Sequence, residues 1–154
     1  MELLPEETEG LTGPGWGESA FIYYSVEGAA ALRKAMEGLE GGRLVVNIVD
    51  MPIKCPVAPL EFCFLADWWL QKRGLHENSE IVLATPLDGA FTKPVASELL
   101  GRLLASKGIS VETEFSTGRV DGKARKLVSW DEREIPYDLL VAIPLHGGAA
   151  FVER

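Results

Sequence analysis

The sequence has few of the residues that build metal sites and disulfide frameworks. Its 154 residues include two cysteines, Cys55 and Cys63, and two histidines, His76 and His146. The cysteines do not form a CxxC pair, and their spacing from the histidines is not that of a zinc site. We therefore expect neither a bound metal nor a secreted fold held together by disulfides.

The sequence also lacks a basic leader, a basic patch and a long apolar run. Its net charge of −8 argues against nucleic-acid binding. The N-terminus is acidic where a targeting peptide would be basic, which favours a cytoplasmic location. The most apolar stretch, residues 60–70, contains Glu61 and Asp67 and is too short to cross a bilayer. The contents of 47% hydrophobic and 25% charged residues are those of one globular domain.

Hydrophobic periodicity predicts strands that alternate with helices along the chain. Residues 1–19, rich in glycine, proline and acidic residues, are expected to be an irregular lead-in. Strands are expected at residues 21–24, 43–49, 80–84, 109–113 and 139–143, and helices at about 26–40, 58–73 and 92–107. Residues 118–133 predict a small antiparallel meander. The fold class is therefore α/β, a Rossmann-like three-layer domain in which the meander replaces one crossover helix of a parallel sheet.

Two of the predicted helices have apolar surfaces that bear on their packing. The helix at residues 58–73 is apolar on more than one face, which suggests a partner surface and a tendency to self-associate. Trp68 and Trp69 are expected to pack, and one of them can face a missing domain. In the third helix Val95, Leu99 and Leu103 share one apolar stripe.

After the strand at 43–49 the sequence places Cys55 among three prolines. Pro52, Pro56 and Pro59 restrict φ and favour extended geometry in the residues before them, so the loop should be stiff. Cys55 follows Lys54 and precedes a helix N-terminus, and both favour the reactive thiolate. The alternative is a small buried hydrophobic residue, a common fate of free cysteines.

This loop occupies the position where a Rossmann domain carries its dinucleotide site. A G-x-G-x-x-G run there would let backbone N–H groups approach the pyrophosphate. No glycine occurs between Asp50 and Gly74, and the prolines remove N–H donors. The next strand ends in Thr85-Pro86 where an acidic ribose ligand would be expected. We therefore expect that the NAD site has been replaced by a thiol.

Residues 52–59, Pro-Ile-Lys-Cys-Pro-Val-Ala-Pro, resemble the P-x-K-C-x-x-A-P signature of sulfide:quinone oxidoreductases and flavocytochrome c sulfide dehydrogenases. Similarity outside the signature occurs at residues 29–32, Thr85-Pro86, Phe91, Val120-Asp121 and residues 137–140. The resemblance covers most of the chain and implies the central domain of such an FAD-dependent enzyme.

The resemblance also implies what surrounds this domain. Family members have an FAD-binding segment before it, and a segment after it that completes the FAD domain and docks on the membrane. Residues 1–24 would then be the lead-in from the missing FAD domain, and residues 25–154 the central domain. The full-length protein would bind FAD and lie in the cytoplasm, peripheral to a membrane. The fragment alone would be inactive.

The resemblance implies that Cys55 is the redox-active cysteine. It would face the flavin as a thiolate and share sulfur with a second cysteine from the C-terminal segment. Sulfide would attack the sulfurs bridged between the two cysteines, and a persulfide would form. Two electrons would pass to FAD and then to quinone or a cytochrome. Val57 stands where many quinone-reducing members have glycine. The donor, sulfide or a low-molecular-weight thiol, and the acceptor therefore stay open.

Four further residues are candidates for supporting roles, each with a structural alternative. Lys54 would stabilise the thiolate or be a solvated charge, and Pro56 would stiffen the loop. Glu61 would handle protons or be a helix first-turn acid. His146 follows the last strand at the ligand-binding edge, and would be an acid–base group or a structural histidine.

The other cysteine and histidine are expected to be structural. Cys63 lies among apolar residues and should be buried, and His76 should be solvated in a polar turn.

Two alternative functions stay open beside the oxidoreductase domain. One is an NAD(P)H-binding domain of a related FAD-dependent oxidoreductase. The other is a non-enzymatic, thiol-bearing module that docks on a separate flavoprotein subunit.

Overall fold

The computed structural model describes residues 2–149 of the chain. The helices of this part are α1 (Val26–Glu37), α2 (Ala58–Lys72) and α3 (Pro94–Ser106), with short 3-10 turns at Pro5–Glu7 and His76–Asn78. The strands are β1 (Glu2–Leu4), β2 (Ala20–Phe21), β3 (Gly42–Ile48), β4 (Ser79–Ala84), β5 (Ser110–Glu112), β6 (Thr117–Asp121), β7 (Lys126–Ser129), β8 (Glu134–Pro136), β9 (Leu139–Ile143) and β10 (Leu145–Gly147).

Five strands form one parallel sheet, as the sequence predicts. Its order is β2-β9-β3-β4-β5, with every neighbouring pair parallel. β3 lies at the centre, where Val46 is paired with Val141 of β9 and with Leu83 of β4. The nearly continuous apolar sequence of β3 is explained by this central position, because both faces of the strand are covered.

The two faces of the sheet carry different layers. Alternate β3 residues such as Leu44 and Val46 pack in one core with Leu32, Leu70 and Leu104 of the three helices. On the other face Val45 packs with side chains of the antiparallel sheet β6-β7-β8 and of its flanking segments, including Phe115, Leu127 and Ile135. The fold is therefore a three-layer, Rossmann-like α/β domain. The meander stands between β5 and β9, where a crossover helix would otherwise lie.

The N-terminal segment is more ordered than its glycine content suggests. β1 pairs antiparallel with β10, where Leu4 faces Leu145, and β2 forms the edge of the parallel sheet beside β9. Leu11 is fully buried in the core on the meander side. The strand predicted at residues 21–24 is shorter and lies at Ala20–Phe21. The predicted domain boundary after residue 24 stays a prediction.

The helix boundaries follow ordinary capping rules. The Ser25 side chain accepts a hydrogen bond from the Gly28 N–H at 3.0 Å, which confirms the predicted N-cap of α1. α3 begins at Pro94, two residues after the predicted start, because a proline suits the first turn of a helix. None of the helices in the described part of the chain has the length and apolar character of a membrane span.

The apolar stripe of α3 does not face the core. Val95, Leu99 and Leu103 are exposed, whereas Leu104 is fully buried and Leu100 packs beside it. On α2, Leu65 and Trp68 are also exposed, and Trp69 is partly buried. The outer surface of the helix layer therefore carries apolar side chains.

Candidate functional site

Cys55 lies in the loop that joins β3 to α2 at the carboxyl edge of the parallel sheet. Beyond the end of β3, the Val49 N–H donates to the Ile143 carbonyl at 3.1 Å, so the loop leaves the sheet beside β9. The Cys55 carbonyl accepts from the Ala58 N–H at 3.2 Å, in the first turn of α2. The Cys55 thiol is free and exposed, so the buried alternative is wrong.

The loop is anchored in the core by Ile53. Ile53 is buried in the core, between exposed Pro52 and Lys54. The Asp50 carboxylate accepts from the Met51 N–H at 2.7 Å. The peptide bond between Met51 and Pro52 is cis. An anchored loop restricts the positions that the thiol can reach.

The other candidates in and after this loop are exposed. Lys54 and Pro56 flank Cys55 in solvent, and Lys54 makes no ion pair within residues 2–149. Glu61 is exposed in the first turn of α2, and its N–H donates to the Val57 carbonyl at 3.0 Å. This position suits an acid favoured by the helix dipole. Roles of Lys54, Pro56 and Glu61 toward the thiol stay predictions.

An aromatic cluster, formed by Tyr23, Tyr24, Phe62 and His146, joins three elements at the carboxyl edge of the sheet. Tyr23 stacks on Phe62 of α2 with ring centroids 5.4 Å apart. The rings of Tyr23 and Tyr24 are 4.9 Å apart. The Tyr24 ring meets the His146 ring of β10 edge to face at 5.1 Å. The cluster thus links the end of β2, α2 and β10 at the carboxyl edge of the sheet.

The pKa values of the two tyrosines in this cluster are raised mainly by burial. Burial raises the pKa of Tyr23 well above its usual value, and Tyr24, then Cys63 and Cys55, raise it further. Burial also raises the pKa of Tyr24; the charge of Cys55 adds to this, while the Tyr23 hydroxyl and the Cys55 main chain partly offset it. Both phenols are therefore protonated at neutral pH.

His146 is held in one orientation by the main chain. Its Nδ1 lies 2.8 Å from the Pro144 carbonyl oxygen. Because a carbonyl only accepts hydrogen bonds, Nδ1 carries the proton of the neutral ring. Nε2 is buried and has no hydrogen-bond partner among the described residues, and the same is true of the hydroxyls of Tyr23 and Tyr24. The structure thus brings the predicted candidate His146 into contact with Tyr24, which in turn contacts Tyr23, and neither tyrosine was predicted from the sequence as a site residue. Two consecutive tyrosines at the end of a strand were the available signal.

Cys63 is structurally distinct from Cys55. It lies on the buried face of α2 with no exposed surface, which confirms the predicted core position. Burial raises the pKa of its thiol to about 12, with only a small opposing effect of its own main chain. A thiol of this kind stays protonated and unreactive at neutral pH.

A crevice opens at the same edge of the sheet, on the meander side of the loop. Its volume is about 350 Å³, and it is lined by Asp50, Thr8, Thr117 and Trp130, among others. Trp130 is 76% exposed, a position that the sequence did not single out. A larger cavity of about 920 Å³ lies away from Cys55, between α3 and β5. Within residues 2–149 no group of three or more His, Cys, Asp or Glu side chains can hold a metal ion.

This chain is similar to known proteins in its three-dimensional structure but not in its sequence. No family model matches the sequence, and no curated protein matches it. Similar solved structures include a chain of the Tetrahymena thermophila mitochondrial ATP synthase, with 16% identity and a TM-score of 0.76 over 99% of this chain and 40% of that one. The sulfide:quinone oxidoreductase of Aquifex aeolicus has 18% identity and a TM-score of 0.76 over 95% of this chain and 35% of that one.

A third similar structure is an NAD-dependent persulfide reductase from A. fulgidus, with 19% identity and a TM-score of 0.61 over 90% of this chain and 23% of that one. These proteins share its fold. The chain spans less than half the length of each of the three proteins, so it corresponds to one part of them. Two of the three are named as an oxidoreductase or a reductase.

Proposed function

We propose that this chain is the central domain of an FAD-dependent oxidoreductase of the sulfide:quinone type, with Cys55 as its redox-active cysteine. The observation that carries the proposal is the free, exposed thiol of Cys55 in an anchored loop at the carboxyl edge of a Rossmann-like sheet. Open α/β sheets bind their ligands outside this edge. The fold shared with the Aquifex aeolicus sulfide:quinone oxidoreductase supports the proposal.

The residues around Cys55 fit the supply of a thiol and do not fit a dinucleotide-binding loop. A pyrophosphate needs free N–H groups and a close approach of the backbone, which glycines allow. Here Pro52 and Pro56 have no N–H, and the Ala58 N–H is used by the Cys55 carbonyl. FAD would therefore be held by another part of the full-length protein, and NAD binding by this chain is not expected. A bound flavin would accept two electrons, and this chain would present the thiol to it.

The remaining features of the proposal follow from the same assignment. Residues 1–24 would be the lead-in from the FAD domain. The partners of this chain would be the FAD domain of the same polypeptide, an electron donor and an electron acceptor. The donor would be sulfide or a low-molecular-weight thiol, and the acceptor a quinone or another acceptor. The full-length protein would be cytoplasmic and peripheral to a membrane.

The test uses the full-length protein and the isolated chain side by side. In the full-length protein, a Cys55 thiolate beside the flavin should give a long-wavelength absorption band. We expect the Cys55→Ser variant to lose this band and the sulfide-dependent reduction of quinone, and the Cys63→Ser variant to keep both. The isolated chain should be colourless and inactive. Tight FAD binding by the isolated chain, or full activity of Cys55→Ser, would contradict the proposal.

A second candidate is a non-enzymatic, thiol-bearing module. It is favoured by one observation, the similarity of nearly the whole chain to part of a chain in the Tetrahymena thermophila ATP synthase assembly. A stable complex with a separate subunit, together with no flavin in the full-length protein, would support this candidate.

Titration calorimetry with NADH tests the NAD(P)H-binding alternative. A dissociation constant for NADH of roughly 1 μM would contradict the interpretation that the proline loop has lost its dinucleotide site.

A further inference from the structure

The crevice on the meander side of the carboxyl edge has the features of a site for a small molecule. Its volume of about 350 Å³ lies at the lower end of the range for ligand pockets, which is about 300–1,000 Å³. It is lined by Val49 after β3, Thr117 of β6 and Leu145 of β10, so the β3 loop, the meander and β10 meet there. Open α/β sheets bind their ligands outside this edge.

The indole of Trp130 forms one wall of the crevice. The Trp130 N–H donates to the Ser116 carbonyl at 2.9 Å, which fixes the main chain of the residue. Gly118 lies against the ring, because a Cβ on this glycine would be 3.2 Å from Cδ2 of Trp130. Trp130 is nevertheless 76% exposed. The ring is thus supported on one side and open to a ligand elsewhere.

Two carboxylates, those of Glu7 and Asp50, give the crevice a negative charge. Both are exposed, and neither forms an ion pair within residues 2–149. One oxygen of Asp50 accepts from the Met51 N–H at 2.7 Å, which leaves the second oxygen available. In the described part of the chain no lysine or arginine lines the crevice. This charge favours a cation and disfavours a phosphate or a carboxylate as ligand.

A cation is also what the face of an indole ring attracts. Two other tryptophans already have a cation of this chain over the ring. Nζ of Lys72 lies 5.9 Å from the ring centroid of Trp68. Cζ of Arg73 lies 4.7 Å from that of Trp69. Among the described residues no cation lies over Trp130 in this way, so its ring is available to a cation from outside.

The wall of the crevice also contains a hydroxyl that lacks a partner. Thr8 lines the crevice and is only 4% exposed, and its Oγ1 has no hydrogen-bond partner among the described residues. The Thr117 hydroxyl, by contrast, accepts from Nδ2 of the buried Asn47 at 2.9 Å. Buried polar groups are nearly always paired. A ligand that carries N–H donors can supply the partner that Thr8 lacks.

We propose that this crevice binds a guanidinium group. The planar cation stacks on the Trp130 ring, and its N–H groups donate to the carboxylates of Glu7 and Asp50. The guanidinium comes either from a free small molecule or from an arginine side chain of another segment of the full-length protein, since both present the same group. The inference goes beyond the proposed function and does not rest on it, because it uses neither Cys55 nor a flavin.

The experiment titrates this chain with methylguanidinium at low salt and follows the indole N–H signals of its tryptophans by NMR. Methylurea, a neutral molecule of nearly the same shape, and ribose are the control probes. We expect methylguanidinium to bind with a dissociation constant on the order of 1 mM and to shift the Trp130 signal. Methylurea and ribose should bind at least roughly tenfold more weakly, because they carry no charge. Added salt should weaken the binding of methylguanidinium.

Side-chain variants separate the ring from the carboxylates. We expect Trp130→Leu, Glu7→Gln and Asp50→Asn each to raise the dissociation constant of methylguanidinium roughly threefold or more. Trp68→Leu and Asp88→Asn are the matched controls, at an exposed tryptophan and an exposed aspartate outside the crevice. Both should bind like the wild type. Circular dichroism checks that each variant is folded.

The absence of methylguanidinium binding by this chain, or equally tight binding of methylurea, would overturn the proposal. Unchanged affinity in folded Trp130→Leu would also overturn it, because the ring would then not be part of the site. The same titration of the full-length protein separates the two sources of the guanidinium. Binding there supports a free cation as the ligand. Binding by this chain alone supports an arginine side chain from another segment.

Discussion

Nζ of Lys107, the residue that follows α3, lies 2.7 Å from Oδ2 of Asp67 on α2. Only 1% of the Asp67 side chain is exposed. Gln71 donates to both oxygens of the same carboxylate at 3.0 Å, and Nε2 of His76 lies 3.2 Å from Oδ1. The carboxylate thus connects two helices and the turn at His76–Asn78. His76, predicted to be solvated, is only partly exposed because it takes part in this contact.

Stability should depend on pH through Asp67. Burial alone would raise the pKa of this carboxyl, but hydrogen bonds from Lys107 and Gln71 and the charges of Lys107 and His76 hold it below its usual value. A lowered pKa in the folded state adds stability above the unfolded-state pKa, and this stability is lost as pH falls through the folded-state pKa.

We expect Asp67→Asn to lower the free energy of unfolding by about 1–3 kcal/mol at neutral pH. It should also reduce the loss of stability between about pH 5 and pH 2. Urea denaturation at several pH values measures both effects. Asp88→Asn, at an exposed aspartate, is the control and should follow the wild type. An unchanged pH dependence in Asp67→Asn would contradict the assignment.

The two apolar stripes of α3 should differ in their effect on stability. Leu104 has no exposed surface, whereas Leu99 is 61% exposed on the same helix. We expect Leu104→Ala to lower the free energy of unfolding by about 2–5 kcal/mol, because it leaves a cavity in the core. Leu99→Ala should change it by less than about 0.5 kcal/mol. Urea denaturation measures the free energy of unfolding of the two variants. Equal losses of this free energy would mean that Leu99 is covered in solution.

The two cysteines should be separable by chemical labelling. Iodoacetamide should add once to the native chain at Cys55, since Cys63 is buried and its pKa is raised to about 12. A second adduct should form only after unfolding. Intact mass and peptide mapping give the result. Cys55→Ser should abolish native labelling, and rapid labelling of Cys63 in the native chain would show that α2 opens readily.

The packing of the N-terminal segment can be tested at Gly10. This residue has a φ of +74°, and a Cβ there would collide with the carbonyl oxygen of Val120 in the meander. Gly17 has a similar φ of +75° but no neighbour within 4 Å of a Cβ. We expect Gly10→Ala to cost more than about 2 kcal/mol of folding free energy, from backbone strain plus the collision.

Gly17→Ala is the control for backbone strain alone, which should cost about 1 kcal/mol. Thermal unfolding followed by circular dichroism compares the two variants. If both lost the same stability, the contact between the N-terminal segment and the meander would contribute little in solution.

The local pattern of the sequence predicted the parallel sheet, because β3 and β9 are apolar at nearly every position and only strands covered on both faces require this. It could not orient α3, whose Leu100 and Leu104 form a second stripe beside the one formed by Val95, Leu99 and Leu103. Helical spacing finds stripes but does not say which of two neighbouring stripes faces the sheet. The pairing of β1 with β10 was missed because it joins opposite ends of the chain.

For the candidate site, the prolines and the strand before them were sufficient to place Cys55 at the carboxyl edge of the sheet. Its exposure was not predictable, because free cysteines are commonly buried. The contact of Tyr24 with His146 joins residues far apart in the chain, so no local pattern of the sequence indicated it. The buried contacts of Asp67 likewise require three separate segments, so a single sequence offered no sign of them.

The antiparallel pairing of β1 with β10 places Glu2 opposite Gly147. The first and last described strands are therefore hydrogen-bonded neighbours, so a short peptide linker could join them without disturbing the core. A circular permutant with new termini in the exposed turn near Lys123 should fold and keep the layers of the domain in place. Its thiol would still lie at the carboxyl edge of the sheet, because the order of the strands in space is independent of where the chain is cut.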